Sequence, residues 1–172
     1  MALVETPRLV LREMERGDAA ALLAVFDDDY ARRFYPEMTS EVAAAEWIER
    51  NRARYASDGF GLWAVIDKAS GALIGDCGPT WQDAGGMRVL EIGYHIAPQS
   101  RGRGYALEAG RAAMAFGFAK TNEPLIGSIV ATDNASSASV ARRLHQDVRS
   151  YVNARGLDRF LFFTRREQHV SA

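Results

Sequence analysis

VLEIGYHIAPQSRGRGYA, residues 89–106, runs from a β-branched and aromatic segment through a proline into a glycine-rich turn and the first residues of a helix. Residues 89–96 have the composition of a strand, and Pro98 stops it. Residues 105–120 (YALEAGRAAMAFGFAK) carry the Ala, Leu, Met and Phe content of a largely buried helix. Between them, in QSRGRG, Gly102 and Gly104 permit backbone conformations that a Cβ would block, so several N–H groups can converge on one anion where the helix begins. The positive end of the helix dipole favours the same anion, and Arg101 and Arg103 add charge at the rim. The stretch reads as a phosphate-binding turn.

Two common phosphate-binding patterns do not fit. The dinucleotide pattern GxGxxG would need a third glycine where Leu107 stands, and the nucleoside-triphosphate pattern GxxxxGK[ST] occurs nowhere. QxxGxG does fit, as Gln99, Gly102 and Gly104 directly after a strand. This resembles the pyrophosphate-binding motif of the GNAT superfamily of acetyl-CoA-dependent N-acetyltransferases.

At 172 residues with 48% hydrophobic content, the chain suits one domain with a proper core, spanning residues 1–172 with its core at about 6–166. A net charge of -1 argues against nucleic acid as a partner, although seven arginines between Arg142 and Arg166 face only Asp147 and Asp158. Those arginines read either as solvated surface or as a phosphate clamp. Cys77 is the only cysteine, so no internal disulfide is expected, and the ligand clusters of a structural zinc are absent, so no metal is expected. No window is long enough to span a membrane and the N-terminus lacks the pattern of a secretory signal, which leads to a cytoplasmic expectation.

Along the chain, residues 6–14 (TPRLVLREM) alternate as a short strand, and Gly17 and Asp18 open a helix to about Phe26. Residues 29–38 (DYARRFYPEM) read as an irregular aromatic loop. A second helix follows Ser40 and ends at Gly59. Residues 60–67 and 73–82 form a hairpin, and residues 83–86 (DAGG) turn into the strand of the opening stretch. After the long helix come a buried strand at residues 125–132, a helix at 134–144, and two closing strands at about 148–153 and 159–165. This order predicts an α+β fold with α/β-type layers: a mixed, mostly antiparallel seven-stranded sheet with helices on both faces and one parallel crossover through the long helix. The exposed closing strands leave room for a homodimer.

The same order, with the glycine turn between the fourth strand and the third helix, resembles the whole GNAT fold. TPRLVLR near the start, EIGYHIAP followed by GRGYALEA, and Asn134, Ser137, Val140 and Leu144 in NxxSxxVxxxL resemble the branch that acetylates protein N-termini, the ribosomal-protein (RimJ/RimL-type) acetyltransferases. Two departures stand out. The family often continues the last helix with Leu-Gly-Phe, where this chain has His145–Gln146, and the glutamate often found on the fifth strand as general base is missing from IGSIVAT.

The resemblance implies acetyl-CoA as cofactor, with coenzyme A as product and a primary amine as acceptor. Gln99, Arg101, Gly102, Arg103, Gly104, Tyr105 and Ala106 are expected around the pyrophosphate, and His95, Ile96 and Ala97 along the pantetheine, which pairs like an added strand. It also implies that Asn134 hydrogen-bonds the pantetheine and that Ser137 lies near the sulfur and protonates the leaving thiolate. Helix capping accounts for Asn134 and Ser137 as well, and both roles can hold together. Tyr151, on a closing strand, is an alternative acid.

On the central strand Glu91, Gly93 and His95 share one face, which makes Glu91 and His95 candidate bases for the amine, directly or through water. Pairing of Glu91 with an arginine, and a merely satisfied His95, are the alternatives. Trp81, Tyr30, Phe34 and Tyr35 are candidates for the acceptor side, and Cys77 reads as core. A peptide or protein N-terminus is the expected acceptor, with a small-molecule amine (antibiotic, polyamine or amino acid) and a non-catalytic acyl-CoA-binding module as the other readings.

Overall fold

The computed structural model describes residues 2–170. Its strands are β1 (Ala2–Glu5), β2 (Leu9–Arg12), β3 (Trp63–Asp67), β4 (Leu73–Asp83), β5 (Arg88–Ile96), β6 (Leu125–Ala131), β7 (Asp147–Val152) and β8 (Asp158–Arg165). The helices are α1 (Ala19–Val25), α2 (Asp29–Phe34), α3 (Glu41–Asp58), α4 (Tyr105–Lys120), α5 (Ala135–Leu144) and α6 (Arg166–Val170). The strands form one sheet in the order β1-β2-β3-β4-β5-β6-β8-β7, antiparallel except where β5 meets β6 across the α4 crossover. Among the described residues no helix is long and apolar enough to cross a membrane.

The sheet has eight strands, not seven. Residues 2–5 add an edge strand to β2, in a turn where the Leu9 N–H donates to Thr6 Oγ1 at 3.0 Å and Lys68 Nζ donates to the Thr6 carbonyl at 2.7 Å. Residues 29–34 are helical, where an irregular loop was expected. Asp28 is the reason: its carboxylate accepts the Ala31 N–H at 2.8 Å and caps the helix, so the residue just before the aromatic stretch is a helix start. Ser40 and Gly59 end α3 as expected, Ser40 accepting from the Ala43 N–H and Gly59 adopting a left-handed φ of 80°.

Apolar side chains cover both faces. Leu90 and Ile92 of β5 pack with Leu107, Met114 and Phe118 of α4, whereas Phe26, Ala44 and Ile48 from the α1 and α3 layer cluster on the other face. Pro79 sits inside β4 without disturbing it. It lies opposite Ile92 in a pair that exchanges no hydrogen bonds, and on its other side β3 has already ended opposite Cys77.

The buried Asn51 ties α3 to the start of β3. Its Oδ1 accepts the Leu62 N–H at 3.0 Å and its Nδ2 donates to the Trp47 carbonyl at 3.0 Å. Replacing Asn51 with Leu strands a buried N–H and is expected to lower stability by about 1–3 kcal/mol, read from the urea midpoint.

His145 ends α5 without glycine. Its N–H donates to the Ala141 carbonyl, and its extended backbone leads straight into β7. The imidazole is buried in a short polar chain. Ser128 Oγ donates to the Ile92 carbonyl at 2.8 Å, so its oxygen accepts from His145 Nε2–H at 3.0 Å, and His145 Nδ1 accepts from the Thr164 hydroxyl at 3.1 Å. Burial pushes the His145 pKa down to about 3. The unfolded chain therefore takes up the proton first: the stability from neutral His145 is complete above the ordinary histidine pKa and drains away as pH falls towards 3, at about 1.4 kcal/mol per pH unit. Between pH 7.5 and 5.5, wild type is expected to lose about 1 kcal/mol more than His145→Gln in urea denaturation.

Candidate active site

The glycine turn is built as a cradle. Gly102 and Gly104 hold φ of 75° and 81°, the left-handed region that favours glycine. The N–H groups of Gly102, Arg103 and Gly104 have no hydrogen-bond partner among the described residues, and the first N–H groups of α4 are free by helix geometry. All of them belong to one turn at a helix N-terminus, the arrangement that binds a phosphate. Arg8 braces it from outside, donating from Nε to Glu108 at 2.6 Å and from its terminal nitrogen to the Arg103 carbonyl at 2.9 Å, with the guanidinium 4.5 Å over the Tyr105 ring. Arg101 turns inward. It forks onto Asp28, donates to the Ile96 carbonyl at 2.8 Å and lies 4.8 Å over the Tyr30 ring. Its charge is thus largely met by Asp28, and it ties α2 to the turn, while Arg103 stays exposed at the rim.

Beside the turn the sheet opens. The parallel ladder of β5 and β6 stops at Glu91 and Gly127, although β5 runs on to Ile96 and β6 to Ala131. Ala97 donates its N–H to the Ile74 carbonyl at 2.8 Å, and the β4–β5 register is unbroken, so His95, Gly93 and Glu91 also turn their main-chain groups towards β4. The main chain of Tyr94 and Ile96 faces the gap instead. With the Ile96 carbonyl taken by Arg101, the Ile96 N–H and both main-chain groups of Tyr94 line the open edge. Of the three residues expected along a pantetheine arm, Ile96 faces this open edge, whereas the main chains of His95 and Ala97 turn to the β4 side.

Two cavities meet at this gap. One, of about 370 Å³, is lined by Ile96, Arg101, Gly102, Gly104, Tyr105, Ala106 and Asn134 among others. The second, of about 630 Å³, is lined by α3, the ends of β4 and β5, and the β7–β8 hairpin, and contains Glu91 and Tyr151. Tyr35, Tyr94, His95 and Ser137 line both. Gln99 is exposed outside the first cavity, and Trp81 lies outside the second, between Phe60 and the Arg88 guanidinium 3.7 Å from its ring.

At the junction, Ser137 Oγ donates to the Tyr94 hydroxyl at 3.5 Å, and that hydroxyl donates to the Ser137 carbonyl at 3.0 Å. Asn134 caps α5: its Oδ1 accepts the Ser137 N–H at 3.0 Å and the Tyr30 hydroxyl at 2.7 Å, leaving its amide N–H groups for a ligand in the first cavity. Burial pushes the Tyr94 and Tyr35 hydroxyls up, with Glu91 adding to both, so neither ionises near neutral pH. Tyr151 is also raised, by burial and then by Glu91, and it touches only the second cavity.

Glu91 reaches across the vertex of the gap. Its Oε1 accepts the Ile129 N–H of β6 at 3.1 Å, so a carboxylate stands against the strand that carries no glutamate of its own. Burial raises its pKa, against the Ile129 hydrogen bond and the charges of His95 and Arg54. His95 is held from behind: Nδ1 meets the fully buried Asp76 at 2.5 Å, Asp76 also accepts Trp47 Nε1–H at 2.9 Å, and Phe26, Tyr35 and Trp47 enclose the ring. The Nδ1 proton is donated to Asp76, so Nε2 is the ring nitrogen left for other partners. Asp76 escaped the sequence reading, because only the β4–β5 register puts it opposite His95. In the alternation of the strand Tyr94 falls with Leu90, Ile92 and Ile96, and nothing in EIGYHI marks its hydroxyl for Ser137. Cys77 is buried core and its thiol is pushed up by burial and then by Asp76, as befits an inert residue.

Comparison with known proteins agrees with this geometry. The sequence profile of the acetyltransferase (GNAT) domain matches residues 8–146. The chain is 32% identical over 140 residues to the uncharacterised protein YkkB of Bacillus subtilis (strain 168), covering 81% of each, and 33% identical over 137 residues to the uncharacterised N-acetyltransferase YoaA of the same organism, covering 78% of this chain and 77% of YoaA. Its fold superposes on RimL, the ribosomal L7/L12 α-N-protein acetyltransferase solved with coenzyme A, with a TM-score of 0.76 at 15% identity over 96% of this chain and 98% of RimL. A cradle of free N–H groups, an open strand edge and a junction of two cavities are what an acyl-CoA enzyme requires, and the chain belongs to the GNAT family of N-acetyltransferases, with acetyl-CoA as its acyl donor.

Proposed function

We propose that the chain is a cytoplasmic enzyme that acetylates the α-amine of a peptide or protein N-terminus by direct transfer. The observation that carries this reading is the junction: the cavity behind the glycine turn and the cavity holding Glu91 share Tyr35, Tyr94, His95 and Ser137, so donor and acceptor can meet without an acyl-enzyme. When bound, acetyl-CoA supplies the activated thioester. The N–H groups from Gly102 to Ala106 hold its pyrophosphate, and the edge of β5 at Tyr94 and Ile96 directs its arm towards Ser137.

Glu91 takes the proton of the incoming amine through water in the second cavity. Its raised pKa brings it closer to the pKa of an α-amine, and the Ile129 N–H keeps it in place. The demand is modest, since deprotonating an α-amine at pH 7 costs about 1 kcal/mol, against about 4.6 kcal/mol for a lysine. His95, oriented by Asp76, lies on the same strand face and can accept the proton next. Ser137 passes its proton to the departing thiolate and recovers one from solvent; Tyr94 orients its hydroxyl.

Incubation with acetyl-CoA and a panel of peptides and small amines, read as thiol release, tests the proposal. Peptides blocked at the N-terminus should be inert and free ones turned over. Turnover of small amines alone would refute the peptide reading, and tight coenzyme A binding without turnover of any amine would refute the enzyme reading.

A further inference from the structure

We infer that the acceptor carries an oxyanion, a carboxylate or a phosphate, close to the amine that is acetylated. The inference rests on the assignment of the second cavity as the acceptor site. Four arginines line that cavity from two opposed walls, Arg50 and Arg54 from α3, and Arg155 and Arg159 from the β7–β8 hairpin. Among the described residues none of the four forms an ion pair, although ion pairs engage arginines elsewhere on the molecule. Arg50 lies 5.5 Å over the Trp47 ring, Arg54 donates to Asn51 Oδ1 at 3.1 Å, and Arg159 donates to the Asp158 carbonyl at 2.8 Å.

The carboxylates lining the same cavity form no ion pair with these guanidinium groups among the described residues. Asp83 is exposed and accepts the Gly86 N–H at 3.0 Å within its turn, Glu37 is exposed, and Glu91 is turned to the Ile129 N–H. Arg54 and Arg159 are partly buried, and each lies close enough to act electrostatically on a catalytic candidate, Arg54 on Glu91 and Arg159 on Tyr151. Arginine is the side chain best shaped to hold a carboxylate or phosphate through paired N–H donors. Cationic walls on both sides repel a polyamine and suit an acidic acceptor, such as a peptide with aspartate or glutamate directly after its first residue.

The test measures kcat/KM for matched peptides that differ only at the second and third residues: acidic, neutral, basic, and phosphoserine-bearing. Acidic or phosphorylated peptides should exceed the basic one by about 10-fold or more, and the margin should shrink as salt is added. The carboxylate and phosphate arms identify which oxyanion is used. In Arg50→Gln/Arg155→Gln, which removes two exposed side chains from opposite walls, the acidic-to-neutral ratio should fall towards one. Equal or better turnover of the basic peptide overturns the inference and leaves the peptide reading standing. Turnover of small anionic amines and of no peptide overturns the peptide reading and sustains the inference, and a lack of turnover with every amine overturns both.

Discussion

Replacing Glu91 with Gln is expected to lower kcat by about 10²–10⁴-fold, the usual contribution of a positioned base, while coenzyme A binding stays within a few-fold of wild type. The amide keeps its oxygen for the Ile129 N–H, so the link across the vertex between β5 and β6 survives and only the proton acceptor is lost. The pH dependence separates this from a packing effect. Glu91 works as a base when ionised, and burial raises its pKa, so wild-type kcat/KM should fall on the acid side through a limb above the ordinary glutamate range. The Gln variant should lack that limb.

Stability should move the other way. A carboxyl with a raised folded pKa destabilises the fold when ionised; the penalty is complete above the folded pKa and gone below the unfolded one. Glu91→Gln should therefore be at least as stable as wild type at pH 7.5, with its advantage vanishing towards pH 4. An unchanged kcat, or a variant that loses activity only because it unfolds, would remove Glu91 from the mechanism.

Valine at Gly102 or Gly104 is expected to weaken coenzyme A binding by about 10-fold or more each, and the double variant should bind too weakly for calorimetry to detect. A left-handed conformation costs a non-glycine residue about 1–3 kcal/mol, and a β-branched one is at the upper end. The cause is confined to the backbone. A Cβ on Gly102 would meet nothing within 4 Å, and one on Gly104 would come no nearer than 3.5 Å to the Arg8 guanidinium. A β-carbon therefore meets no clash, but valine drives the turn out of the conformation that gathers its N–H groups. Circular dichroism and the urea midpoint should change little beside the loss of affinity. Undiminished binding in the double variant would show that the anchor lies elsewhere.

Much of this protein could be read locally. The span of α4, the caps at Ser40 and Asn134, the stop at Gly59 and the need for glycine at positions 102 and 104 depend on backbone preferences held within a few consecutive residues. Even α2 was local in principle, since Asp28 caps it, although residues 29–38 read as an irregular aromatic loop. Residues 2–5 are different, because four residues declare no strand until β2 lies beside them.

The chemistry belonged to the tertiary structure. Asp76 lies under His95 because β4 and β5 pair in one register, Glu91 meets Ile129 because the parallel ladder ends at Gly127, and Arg101 meets Asp28 across 73 positions of chain. Sequence alone determined the family, the run of elements from α3 to β8 and the glycine turn at the head of α4, since each is written in short-range propensity and spacing. Which side chains share the cleft, and with what protonation, was decided only when long-range pairing set their neighbours, because the field and solvation at an ionisable group come from whatever the fold brings against it.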